Sequence, residues 1–434
     1  PEIVELASER KPDLLITVDN GISSVEGVAR ANLSSIDVII TDHHLPGKNL
    51  PEAIAIINPN QPGCQFPAKN LAGVGVAFFL LIALRSKLRD QDWFSNNGSS
   101  EPNLASWLDL VALGTVADLV PLDHVNRILV KQGLERIRMQ KCRPGISSLL
   151  HISGKNFGRL VAADLGFYVG PRLNAAGRLD DMSLGIQCLV TEERQLAMDL
   201  ALQLDKLNQT RKEIEKQMHA EAESFLSKLD LDIVTKSNRA ICLFHPAWHQ
   251  GVIGLIASRI KERFQRPVIV FARDTAVSNI PETSSNLKGS CRSVPALHIR
   301  DALEAIATEH PGLLIKFGGH AMAAGLSLDE ENLESFTKVF QEYISEKCGQ
   351  DDYEAVILTD GELTADRLVM STAELLYGHG PWGQNFPEPS FSGEFILIGQ
   401  KVVGERHLKL VLRHPKGGYH NLDAIHFNMD DEYW

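Results

Sequence analysis

The chain has 434 residues, 44% hydrophobic and 23% charged, ordinary globular composition with room for roughly two to four domains. A formal net charge of −12 argues against a protein that coats DNA nonspecifically, although a local basic groove is compatible with it. The six cysteines, Cys64, Cys142, Cys188, Cys242, Cys291 and Cys348, have no C-x-x-C spacing, which excludes a zinc ribbon and reads as reduced thiols of a cytoplasmic protein. The longest apolar run, VGVAFFLLIAL before Arg85, is about half a membrane span and predicts a buried helix, so no membrane association is expected. No signal peptide is evident. Pro1 stands where a starting methionine would, which marks the chain as a fragment or a processed product.

Taken in chain order, LLITV at 14–18 predicts a short apolar strand. ISSVEGVARAN predicts a helix with Val25, Val28 and Ala29 on one face, and DVIIT a second strand. Strand, helix and strand with short connections predict a parallel sheet covered by helices. Asp19-Asn20-Gly21 follows the first strand and Asp42-His43-His44 the second. Ligands of open parallel sheets bind there, beyond the carboxyl ends of the strands. A helix is predicted at 71–89, then one in LASWLDLVALGTVADLVPL ending near Gly114, with Asp118 on the following turn. Residues 125–165 read as short helical pieces, and GFYVGPRLNAAGRLDD as a loop with two arginines. Residues 191–229 are helical in pattern without a proline, and a helix that long usually bridges two lobes. A second α/β unit begins near 239, with strands in RAICLFHP and PVIVFA around the helix GVIGLIASRIKERF. Residues 277–290 read as a polar loop, and KFGGHAMAAGLSL closes the unit. After about 350, apolar and polar residues alternate between glycine turns, the pattern of a β-meander or small barrel.

Asp19, His43 and Asp118 each end an otherwise apolar element. Carboxylates suit a hard divalent ion, and an imidazole among them shifts the preference towards manganese or other transition metals. A lone aspartate after a strand also serves as a turn former or helix cap. Three such residues on successive elements of one sheet are harder to dismiss as caps, and from the pattern alone a metal ligand and a structural histidine are even alternatives for His43. His44, on the opposite parity from His43, is placed to donate to a phosphate oxygen or a leaving group. Asp42 either orients an imidazole or caps the loop. Arg172, Asn174 and Arg178 in GPRLNAAGR suit a phosphate clamp, with surface ion pairs as the alternative. Ser290 and Arg292 in KGSCRS form a candidate anion nest, and His320 follows two glycines that let a ligand approach. His245 and His249 enclose a proline and a bend, and read as structural. RHLKLVLR places Arg406, Leu408, Leu410 and Leu412 on one strand face and His407, Lys409, Val411 and Arg413 on the other; the basic face suits a nucleic-acid backbone or plain solvent.

TVDNG, TDHH, GTVADLVPL, GPRLNAAGR, GSCRS and FGGHAMAAG stand here in the order seen in the RecJ family of the DHH phosphoesterase superfamily, which the whole chain resembles. LDLVALGTVADLVPLD and LLYGHGPWGQNFPEP are similar to the gammaproteobacterial type. The resemblance implies an α/β fold: a parallel-sheet DHH domain and a second α/β DHHA1 domain joined by a long helix, followed by a partial OB-like β-barrel. The expected bounds are 1–180, 181–232 for the connecting helix, 233–348 and 349–434. It implies a metal-dependent 5′→3′ exonuclease specific for single-stranded DNA, releasing mononucleotides in repair and recombination. Two Mn2+ or Mg2+ ions are implied, with Asp19 bridging them and His43 and Asp118 completing one site. His44 would contact the scissile phosphate. Arg172, Arg178, Ser290 and Arg292 would hold phosphates near the 5′ end, Asn174 would bind substrate, and His320 would line the substrate path in the second lobe. Implied partners are single-stranded DNA, a single-stranded-DNA-binding protein and a helicase, with the chain a monomer. The family's aspartate-rich first motif is expected before residue 1, so this stretch is expected to hold half a site and to cut weakly alone. The β-barrel is expected to be truncated, and Cys291 to crowd the GSCRS backbone. The rivals are another DHH phosphodiesterase, acting on oligonucleotides or cyclic dinucleotides, and a non-catalytic scaffold.

Overall fold

The computed structural model describes residues 1–179, 181–226, 239–246, 248, 250–274, 286–349, 356–404, 407–416 and 421–427. Two compact units result: residues 1–208 with 358–434, and residues 209–357. The division falls inside one helix, Arg194–Leu226.

The first unit begins with the expected parallel sheet, β1 (Leu14–Val18), β2 (Asp37–Thr41) and β3 (Ala55–Ile57), in that order. The register pairs Val18 with Thr41 and Thr41 with Ile57, so the three carboxyl ends lie level. The short third strand has no sequence signal beyond AII. Val38 and Ile40 are buried against Val28 and Ala31 of the Val25–Leu33 helix. Val25 and Ala29 are exposed, contrary to the expected face. The helix starts at Val25, so its buried stripe is the later i, i+3 pair.

Helices complete this unit. Gly73–Asp90 carries the long apolar run but is buried mainly in its first turns, at Gly73, Gly75, Val76 and Phe78. The next helix, Leu108–Ala117, runs through Gly114 rather than stopping there. A Cβ on Gly114 would stand 2.7 Å from Val74 Cγ1, so this glycine allows two helices to cross closely and is not a stop. GPRLNAAGR is helical too, as Gly170–Leu179, after a π turn at Leu165–Val169. Pro171 directly follows the π turn, inside a helical run continuous from Ala162, so its missing N–H falls where the regular bond pattern is already interrupted. Ala175 and Ala176 are fully buried beneath it. Among the described residues no helix is long and apolar enough to cross a membrane, and no disulfide joins the cysteines.

The β-domain of this unit is an antiparallel meander of β9 (Ile396–Val403), β10 (His407–Arg413) and β11 (Leu422–His426). Along β10, residues 407–412 are all half-buried, so both faces of the strand are partly covered. Arg406 lies outside the described residues.

The second unit is a five-stranded sheet in the order β4 (Ile241–Phe244), β5 (Val268–Arg273), β6 (Asn286–Arg292), β8 (Ala323–Asp329), β7 (Lys316–Gly319). Only β4 and β5 are parallel. Val268 to Ala272 are all buried, as a central strand covered on both faces requires. The expected polar loop at 277–290 is strand from Asn286 onward; its residues 277–285 lie outside the described residues, as does His249.

Candidate metal centre and phosphate face

The metal candidates meet at the level carboxyl ends of β1 and β2. Asp19 takes a left-handed backbone (φ 61°), unusual for a residue with a side chain, and its N–H donates to Thr41 O at 2.9 Å. That bend turns the carboxylate towards the first turn of the Gly73–Asp90 helix. A Cβ on Gly73 would lie 2.3 Å from Asp19 Oδ1, so only glycine leaves the carboxylate its place. Alanine ordinarily favours a helix by up to about 1 kcal/mol over glycine. Gly73→Ala is nevertheless expected to weaken Mn2+ binding about tenfold by displacing Asp19, as read by calorimetric titration. Unchanged affinity would show that Asp19 has slack.

Asp42 is buried, with 1% exposure, and four groups bond to its carboxylate. Oδ2 accepts from Ile22 N–H at 2.9 Å; Oδ1 accepts from the N–H groups of His43 and His44 and lies 2.7 Å from His44 Nδ1. Burial pushes this carboxyl up, but the donors from Ile22, His44 and His43 together outweigh it and hold it below the usual range. Both sequence readings of Asp42 therefore apply: it caps the turn and orients His44. With Nδ1 committed to Asp42, the His44 Nε2 is the ring atom left for a ligand.

His43 turns the other way. Its Nε2 is buried, 3.0 Å from Asp19 Oδ1 and 3.3 Å from Asp118 Oδ2, yet the angles make a hydrogen bond with neither. Close approach without direction is how ligands stand around a shared cation. One ligand atom each from Asp19, His43 and His44 lies within 4.8 Å of the others. Asp118 is the C-cap of the Leu108–Ala117 helix. Burial raises its carboxyl above the ordinary range, and the Asp19 charge adds to this against the pull of His43. Two carboxylates and an imidazole around one point fit a divalent ion such as Mn2+.

Asn58 and Asn60, just beyond β3, fasten the same turn from below. Asn58 Nδ2 donates to His44 O at 2.9 Å and Asn60 Nδ2 to His43 O at 2.6 Å. Sequence reasoning missed both, although the rule that sites gather beyond parallel strand ends would have found them once β3 was recognised.

The second unit holds a separate cluster. Alternation along β6 puts Lys288, Ser290 and Arg292 on one face and buries Leu287, Gly289 and Cys291 on the other. GSCRS therefore offers side chains rather than a backbone nest. Cys291 does not crowd the approach; its side chain sits in the core, and burial pushes its thiol strongly up. Arg292 Nε donates to Ser258 Oγ at 3.0 Å and its Nη1 to Ser290 Oγ at 3.1 Å. Gly254, opening the Ile253–Phe264 helix, would bring a Cβ within 3.2 Å of Arg292 Nη2. Lys288 Nζ contacts Gln250 at 3.1 Å and Asp274 at 2.9 Å. Arg292 pairs with Ala323 across the sheet, and His320 N–H donates to Ala323 O, so exposed His320 belongs to the same sheet end.

GPRLNAAGR is placed differently from the expectation. Arg172 points into the protein: Nε and Nη2 reach Asp205 Oδ1, each at 2.8 Å, and Nη1 donates to Tyr168 O at 2.6 Å. Asn174 is exposed and lines an apolar cavity of about 420 Å³ with Phe167 and Trp382. The side chain of Arg178 lies outside the described residues.

Comparison with known proteins places the chain in a family. The DHH family, N-terminal domain, matches residues 1–115, the DHHA1 domain residues 237–346 and the RecJ OB domain residues 359–434. The single-stranded-DNA-specific exonuclease RecJ of Salmonella typhimurium is 55% identical over all 434 residues, which span 74% of that protein. The chain belongs to the RecJ family. RecJ of Escherichia coli is 53% identical over the same 434 residues, again 74% of its length. The crystal structure of RecJ from Thermus thermophilus in complex with Mn2+ superposes with a TM-score of 0.71 at 30% identity. It covers 98% of this chain and 57% of its own. A structure of exonuclease RecJ bound to manganese gives 0.59 at 32% identity, over 82% of this chain and 80% of its own. The α/β architecture with DHH, DHHA1 and OB parts is that of the family.

Proposed function

We propose that the chain forms the catalytic and DNA-gripping body of a metal-dependent 5′→3′ exonuclease specific for single-stranded DNA, releasing mononucleotides in repair and recombination. The observation that carries this reading is the buried His43 Nε2 set between Asp19 and Asp118 with a hydrogen bond to neither. Asp19, His43 and Asp118 hold metal in this reading. Divalent ions bound there supply Lewis acidity and an activated water. His44, its Nδ1 fixed on Asp42, presents Nε2 to a phosphate oxygen and gives or takes a proton there. Ser290, Arg292 and His320 hold phosphates in the second unit, where the guanidinium carries the anion's charge. Asn174 contacts the nucleotide; Arg172 contributes by holding the helix to Asp205. The proposed domain bounds are 1–180, 181–232, 233–348 and 349–434; family matches within the first, third and fourth of these support the reading. A monomer working with a single-stranded-DNA-binding protein and a helicase in the cytoplasm completes the proposal.

The test is a nuclease assay on the full-length gene product with 5′-overhang, 3′-overhang and blunt DNA. Mn2+-dependent mononucleotide release from the 5′ overhang, at least tenfold faster than from blunt ends, is the expected result. Equal action on short oligonucleotides, without preference for long strands, would favour another DHH phosphodiesterase. Binding without cutting would favour a scaffold.

A further inference from the structure

Asp118 sits on a turn, 118–123, that is strained and gripped from two sides. Leu119 is left-handed (φ 56°) with its side chain 71% exposed, so its own packing does not hold it there. On one side Asn126 Nδ2 donates to Pro121 O at 2.9 Å and to Asn70 O at 2.6 Å, while Asp123 caps the His124–Arg138 helix. On the other side lies GHGPWGQNF, residues 378–386, which leads into the β-domain. Leu122 N–H donates to Gln384 O at 2.8 Å. Gly383 approaches so closely that a Cβ would stand 2.7 Å from Leu122 Cδ1. Behind this contact Trp382 and Phe386 stack at 5.1 Å and 10°. The Arg127 guanidinium lies 3.9 Å over the Phe386 ring, and its Nη2 donates to His379 O at 3.1 Å.

We propose that residues 378–386 are a positioning clamp for Asp118, with Phe386 and Arg127 as its closure. The inference rests on the reading of Asp118 as a metal ligand. The clamp touches no substrate; it fixes the backbone on which the ligand stands and ties the stem of the β-domain to the metal centre. Partners that orient a ligand in this way set metal affinity by 10- to 100-fold, as a rough guide.

The experiment titrates MnCl2 into the full-length protein by calorimetry, for wild type, Asp118→Ala, Phe386→Ala, Arg127→Ala, the last two combined, and Phe386→Tyr. Phe386→Ala and Arg127→Ala are each expected to weaken Mn2+ binding about tenfold, and the pair no more than either alone. Phe386→Tyr keeps the ring and is expected to stay within twofold of wild type. Single-stranded-DNA binding in EDTA is expected to be unchanged, because the β-domain itself is intact. Where Phe386→Ala fails to fold, Arg127→Ala decides alone. Lower thermal stability with unaltered Mn2+ affinity would overturn the clamp and leave the turn a structural contact. If Asp118→Ala also leaves Mn2+ affinity unaltered, the metal reading falls and the clamp falls with it.

Discussion

Asp19→Ala in the full-length protein is expected to slow Mn2+-dependent release of mononucleotides from single-stranded DNA by roughly 10³-fold or more, since a metal-held transition state is worth several kcal/mol and each 1.4 kcal/mol is a factor of about ten. The expectation follows from position. Asp19 is the carboxylate nearest His43 Nε2, at 3.0 Å, and it is seated in a gap that only Gly73 leaves open. No other acidic side chain at the end of β1 or β2 reaches that nitrogen, because Asp42 is turned inward onto backbone amides. Single-turnover assays at saturating Mn2+ would measure the rate. A rate within tenfold of wild type would remove Asp19 from the metal centre.

Asp42→Ala is expected to act first on stability. The substitution strands the N–H groups of Ile22, His43 and His44 in a buried turn, at a cost of about 3 kcal/mol or more. Urea denaturation at neutral pH would show it as a lower midpoint. The pH dependence has a definite sign. A carboxyl held below its unfolded value stabilises the fold above that value, near about 3.9, and the contribution is lost as pH falls through the folded value. Wild type should therefore lose stability below about pH 4 more steeply than Asp42→Asn, which lacks the titrating group. Equal midpoints for wild type and Asp42→Ala at pH 7 would contradict the assigned role. Loss of the Asp42 acceptor also frees the His44 ring, so the cutting rate should fall alongside stability.

The sequence was most readable where one local rule acts alone. β1 and β2 are short apolar runs followed by polar triplets, and the strand-end rule points to Asp19 and His43, which stand just past the two strands. Asp118 stands out for a different reason: it follows an apolar helix, although the helix continues past the expected stop at Gly114. That glycine and the glycines of GPRLNAAGR look like breakers in the sequence, yet Gly114 serves a close crossing with Val74 that lies far away in the chain. The same limit explains Arg172. Its partner Asp205 is 33 residues onward, and nothing near Arg172 announces an inward ion pair. The polar loop expected to run to residue 290 ends earlier, because pairing to β5 and β8 makes Asn286–Arg292 a central strand. Strand alternation then gives Ser290 and Arg292 a shared face that composition alone could not.

The first letter of the D-H-H triplet answers to folding before it answers to chemistry. Three backbone amides and an imidazole would be left without a partner if Asp42 changed. A descendant of this chain that had lost its metals and its activity would still be constrained to keep that aspartate. The triplet thus testifies to a turn, and a search that finds it has found a shape. In the proposed reading, testimony about cutting comes from Asp19 and Asp118, whose carboxylates meet at an imidazole nitrogen and take no hydrogen bond from it.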